Sequence, residues 1–166
     1  MFTRYTATHS LSKVVWQLVI LLFTSLALSA CAIKLVADYD SVAFEEILRV
    51  GKKLDRFYGD LLETPASQRA YTKFSAQYVE IETDIQSLVT RNKARALNKE
   101  STEISEAILQ LWEKYKEAHK ARDNYSDGIA KLDRKRFIRL FAAAASAEYA
   151  KNLDGDDKNS SKDSKE

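Results

Sequence analysis

The chain has 166 residues, with 26 Lys+Arg against 24 Asp+Glu for a net charge of +2. Arg4 and Lys13 hold that excess, so the residues beyond 30 balance at 24 of each sign, which excludes the concentrated positive field that broad nucleic-acid binding needs. One cysteine excludes an intrachain disulfide, and four glycines and one proline are too few for an all-β chain, so the composition implies long helices around one modest core.

Residues 1–13 are polar and basic. An apolar run follows, densest from Leu18 to Phe23, and closes on Leu26-Ala27-Leu28-Ser29-Ala30 before Cys31. A basic start, an apolar centre and a small-residue exit are the parts of a secretory signal peptide. The run has about 17 residues and contains Gln17, Thr24, Ser25 and Ser29, whereas a spanning helix wants about 20 apolar ones. Leu28-Ser29-Ala30-Cys31 resembles the lipobox of bacterial lipoproteins, an aliphatic residue and two small ones before a cysteine. The resemblance covers only the first 31 residues. It implies that residues 1–30 are cleaved, with Leu28, Ser29 and Ala30 read by the signal peptidase. It also implies a thioether-linked diacylglycerol and an N-acyl chain on Cys31. Two or more acyl chains anchor stably where one is marginal. Ala32 follows, not aspartate, which resembles the outer-membrane sorting class. The implied place is the periplasmic face of the outer membrane, with the outer face of the cytoplasmic membrane as the alternative. The competing reading of this stretch is an uncleaved signal anchor with an incidental cysteine.

Residues 31–39 read as the lipidated cysteine and a short tether, of which the eight residues after the cysteine span at most about 28 Å. A helical domain is expected over 40–153. Its first helix runs from Ser41 to about Leu62, capped by Asp40 or Ser41, with Phe44, Ile47, Gly51, Leu54, Tyr58 and Leu61 on one face. Gly51 in that stripe reads as close helix packing, or as a gap for a partner or ligand. Thr64-Pro65 ends this helix and starts the next, which extends to about Ala94 and carries Tyr71, Phe74, Tyr78, Ile81, Ile85 and Leu88. After a break capped by Asn98 or Ser101, a third helix presents Ile104, Ile108, Leu111, Tyr115 and Ala118, with Trp112 beside them. Asp123 to Gly128 reads as a turn, and a fourth helix follows from about Ile129 to Asn152 with Ile129, Leu132, Phe137, Leu140, Phe141 and Ala144 inward. Residues 154–166 hold no apolar side chain and are expected to be disordered. The fold class is all-α, an antiparallel four-helix bundle after the signal peptide, or a three-helix bundle with one very long helix if the turn at 123–128 fails to form.

Chemistry is sparse. Bundles that hold di-iron use Glu-x-x-His pairs, but residue 116, three before His119, is lysine. No haem-attachment motif, phosphate loop or nucleophile elbow is present, so no catalytic residue, metal or other cofactor is expected, and the protein reads as no enzyme. His119 is expected on the surface near a helix end. Glu80, Glu82 and Asp84 read as a solvated face, with Glu82 pointing away from the other two. Arg134, Lys135, Arg136 and Arg139 form the densest basic cluster, interleaved with apolar residues. They are open to three readings: a helix face paired to acids within the bundle, a contact with anionic lipid, or a partner's acidic surface. The run Ala142 to Ala145 reads as core packing or as a groove for a partner helix. Tyr58, Tyr71, Tyr78 and Tyr115 read as core rings with hydroxyls at the edge, or as the lining of a ligand channel.

The expected function is therefore that of a lipid-anchored, non-enzymatic interaction or assembly module, with the membrane and an envelope protein as partners and no nucleic acid. A small-molecule or lipid-binding bundle and a phage- or plasmid-encoded exclusion lipoprotein are the alternatives.

Overall fold

The computed structural model describes residues 15–21 and 35–160, the latter's side chains to residue 152. Cys31, Leu28, Ser29 and Ala30, together with residues 161–166 of the polar tail, lie outside the described residues. Every regular element among the described residues is helical. Residues 15–21 form α1, part of a unit distinct from the one that begins at Leu35. No helix among the described residues is long and apolar enough to cross a membrane.

The second unit is a helical bundle of α2 (Ser41–Glu63), α3 (Tyr71–Lys93), α4 (Lys99–Arg122) and α5 (Asp127–Ser160). Asp40 caps α2 as its sequence suggests, its carboxylate accepting the Val42 and Ala43 amides at 3.0 and 3.1 Å. Pro65 does not open α3: a 3-10 turn at Ala66–Gln68 intervenes. The first amide of α3, that of Tyr71, is capped by the carboxylate of Asp123 at 2.8 Å. Asp123 itself closes α4 in the left-handed region (φ 47°), so α4 and α5 are separate and the single long helix does not form. α5 continues to Ser160, seven residues into the stretch for which disorder is expected.

α2 packs on α3 and α5, and α4 packs on the same two helices. Cross-helix bonds run in opposite senses along each pair: Asp40 with Glu148 and Asp55 with Arg134 join α2 to α5, while Asn92 with Ser105 and Tyr78 with His119 join α3 to α4. Phe57, Tyr78 and Trp112 meet at the centre, with ring centroids 4.7 to 5.1 Å apart. Aromatic contacts of this geometry add about 0.5–1.5 kcal/mol each beyond area burial.

Two faces differ from the expected stripes. On α4 the buried positions are Ser101, Ser105, Ile108, Trp112, Tyr115 and His119, a rotation that puts Trp112 at the centre and leaves Leu111 half-buried. Hydrophobic patterning misses this face because serine and histidine occupy half of it. On α5, Ile129 and Leu132 are exposed, because Asp133 takes the inner position beside Phe137. Gly51 is filled rather than open: a Cβ there would meet Phe141 Cγ at 3.0 Å.

Candidate functional site

His119 is buried, not on the surface. Its Nε2 lies 2.8 Å from the Arg69 carbonyl, which can only accept, so Nε2 carries the proton and Nδ1 accepts the Tyr78 hydroxyl at 3.0 Å. Burial lowers the pKa of the ring despite the hydrogen bond to Arg69, favouring the neutral form. Arg69, which no local pattern singles out, is buried beside it. Its guanidinium donates to the carbonyls of Thr64, Leu62 and Tyr125 and to Asp127, at 2.6 to 3.2 Å. It thus ties the end of α2 to the α4–α5 turn. A cleft of about 450 Å³ opens next to this group, with Tyr115, His119, Tyr125, Asp133 and Arg136 in its wall. Tyr125 donates to Asp133 at 2.7 Å, and Arg136 donates to both Asp133 and the Tyr115 hydroxyl. These polar groups satisfy one another.

Of the four tyrosines considered as a channel lining, Tyr58 and Tyr78 are packed in the core, Tyr71 is half-buried against it, and Tyr115 reaches the cleft. The Tyr58 hydroxyl is buried close to Tyr125 with no well-aligned hydrogen bond among the described residues, and burial pushes its phenol well above the usual pKa. Glu80, Glu82 and Asp84 do not form a merely solvated face. Lys53 of α2 bridges Glu80 and Asp84 at 2.8 and 2.5 Å, and Lys116 of α4 takes Glu82 at 2.7 Å. No group of three or more metal-ligating side chains occurs among the described residues.

At the opposite end, a second polar cluster is buried. Glu148 accepts the Asp40 amide at 2.9 Å, Arg95 at 3.1 Å and Lys151 at 2.5 Å. Lys151 also donates to Asn98 and Ser101, at 2.6 and 2.8 Å. Asn98, positioned to cap α4, instead accepts Lys151 here and donates to the Asn92 carbonyl in the last turn of α3 at 3.1 Å, leaving the α4 amides without a side-chain cap. The segment before α2 is bound here too: the Ala37 amide donates to the Leu97 carbonyl at 3.0 Å and Arg95 donates to the Asp38 carbonyl.

The structure divides the basic cluster. Arg134 grips Asp55 with two bonds of 2.7 and 2.9 Å, holding the Asp55 carboxyl below its ordinary pKa. Arg136 is taken by Asp133 and Tyr115. Lys135 and Arg139 are exposed and have no ion-pair partner among the described residues. Beside them lie Ile138, Ala142, Ala143, Ser146 and Tyr149, all exposed; of the alanine run only Ala144 is buried. The two acids between residues 128 and 152, Asp133 and Glu148, are both turned inward. Between residues 128 and 152 the outer face of α5 therefore offers cations and apolar groups with no acid among them.

Comparison with protein-family models, with curated proteins and with solved structures finds no match to this chain.

Proposed function

We propose that the protein is a lipid-anchored, non-enzymatic interaction module of a bacterial envelope, folded as an antiparallel four-helix bundle and held by acyl chains on Cys31. The lipobox resemblance supports the anchor. The ring of helix contacts and the opposed directions of the cross-helix bonds support the bundle. The observation that carries an interaction role is the outer face of α5, where Lys135 and Arg139 stand exposed among Ile138, Ala142 and Tyr149. Such a face suits an envelope protein whose surface is acidic and apolar, because the charges steer the encounter and the apolar groups supply the contact.

A photo-crosslinking residue at Ala142, with one at Thr83 on α3 as control, tests this in intact cells. A discrete protein adduct is expected from position 142 alone, and Lys135→Glu with Arg139→Glu should abolish it. No adduct at 142, or the same adducts from both positions, sinks the proposal. The cleft beside His119 favours a second reading, small-molecule binding, since its volume exceeds the roughly 300 Å³ a ligand site needs. The mutual pairing of Asp133, Arg136, Tyr115 and Tyr125 ranks it lower.

A further inference from the structure

We propose that the end of the bundle from which the tether leaves is a tip that inserts into the interfacial layer of the lipid bilayer. This rests on the lipid-anchor reading above. Four aliphatic side chains stand exposed there: Leu35 at 77%, Val42 at 56%, Leu97 at 50% and Val36 at 38%. They come from three separate stretches: the tether, the first turn of α2 and the α3–α4 turn. The bond from Ala37 to Leu97 and the contacts of Asp40 with Glu148 and Arg91 bring those stretches to one end. Exposed aliphatic residues scattered singly are ordinary; grouped at one end they mark a contact surface.

Leu97 adds an independent signal. Its φ is 59°, in the left-handed region where glycine or asparagine sits without strain and a leucine does not. The backbone thus holds a large apolar side chain in solvent at an unfavourable place, a combination common where strain serves a site. Covalent distance supplies the occupant. Leu35 is four residues from Cys31, so at most about 14 Å of chain separates it from the lipidated atom. With acyl chains in the bilayer, the exposed leucines and valines lie within reach of the headgroup layer.

Charge does not drive this contact. The exposed Lys93 and Lys99 near this end are paired with Glu106 and Glu103, so apolar burial is the attractive force. α5 packs on α2 and α4 and leaves the same end as a helix whose sequence is polar after Leu153. The tip accordingly meets the bilayer by its α2–α3 edge.

The test uses the full chain, processed by its native host and reconstituted in phosphatidylethanolamine–phosphatidylglycerol vesicles. An environment-sensitive fluorophore is placed at Leu97→Cys, and at Ser126→Cys on the opposite end as control. Emission from position 97 should shift to the blue and fall several-fold with quencher-labelled lipids, while position 126 reports water. With the label moved to Val36→Cys, adding Val42→Asp and Leu97→Asn should remove the quenching and leave helical circular dichroism unchanged. If the protein floats with vesicles but position 97 stays in water, the tip proposal is wrong and the anchor stands. A blue shift without lipid quenching means a protein covers the tip, which also overturns it. If the fluorophore labels Cys31 and the protein fails to float, the anchor reading itself has failed.

Discussion

His119 is held neutral by its surroundings, and that makes it the residue through which stability should respond to mild acid. Its folded pKa lies below the unfolded value of about 6.5. Below pH 6.5 the unfolded chain therefore binds more protons at this site, so its contribution is complete above that pH and is lost as pH falls toward the folded pKa. Denaturant unfolding of the wild type should show stability declining as pH falls below about 6.5. His119→Gln should lose about 1–3 kcal/mol at pH 7.5, because a buried partner is left unpaired, and should flatten the slope below about pH 6.5. A slope identical to the wild type in this variant would remove the assignment. Further acid acts elsewhere. Arg134 depresses Asp55, while at Asp84 the pairing with Lys53 and Arg49 outweighs burial, which alone would raise its pKa. Those contributions are lost below about pH 4, as the carboxylates are protonated.

At the scale of one helix, α2 contains a matched pair of glycines. Gly51 lies against Phe141, while nothing lies within 4 Å of a Cβ built at Gly59. Alanine gains up to about 1 kcal/mol of helix propensity at either position. Gly59→Ala should keep that gain. Gly51→Ala must displace the Phe141 ring, and overpacking costs about 1–3 kcal/mol, so it should be neutral or destabilising. The two variants, compared by thermal or chemical unfolding, should differ by at least about 1 kcal/mol. Equal stabilisation by both would show that α2 and α5 are less closely packed than Gly51 and Phe141 indicate.

Across the whole molecule, each end carries a buried polar lock. Arg69 and His119 join α2, α4 and the α4–α5 turn at one end; Glu148 and Lys151 join the segment before α2 to α4 and α5 at the other. Removing one member of a buried charge pair strands the other and costs about 3–5 kcal/mol, whereas replacing both with apolar residues is often close to neutral. Glu148→Ala should therefore destabilise by about that amount and loosen the segment at Asp40, seen as faster amide exchange at residues 37–40. Glu148→Leu with Lys151→Met should recover more than half of the loss. If the double variant is as unstable as the single one, hydrogen bonds rather than stranded charge hold this end together.

The helices themselves were legible from sequence alone. Apolar residues at spacings of three and four, the Asp40 cap, the Asp123–Gly128 break and the scarcity of glycine and proline are local properties, and helix formation is largely a local choice. The inward stripe of α3 followed from the same periodicity and that of α2 in part, since Ile47, Leu54, Tyr58 and Leu61 are buried as expected while Ala43, Val50 and Phe57 are buried beside them and Phe44 is only half-buried; Gly51 was legible as a packing position. The resemblance to a lipobox, likewise, rests on a contiguous motif and needs no fold to be read. Tertiary structure decided the rest, because it sets which polar groups are removed from water. Ser101, Ser105, His119, Asp133 and Glu148 are polar letters in a sequence, yet they occupy buried positions because partners on other segments satisfy them, from Tyr125, 8 positions before Asp133, to Asp40, 108 before Glu148. α3 draws its first cap from Asp123, 52 positions on, which no local pattern could announce. The separation of Lys135 and Arg139 from the paired Arg134 and Arg136, and the gathering of Leu35, Val42 and Leu97 at one end, also depend on how helices pack. Periodicity identifies the face a helix will bury when that face is apolar; where charge or hydroxyl is buried, only the partner's position identifies it.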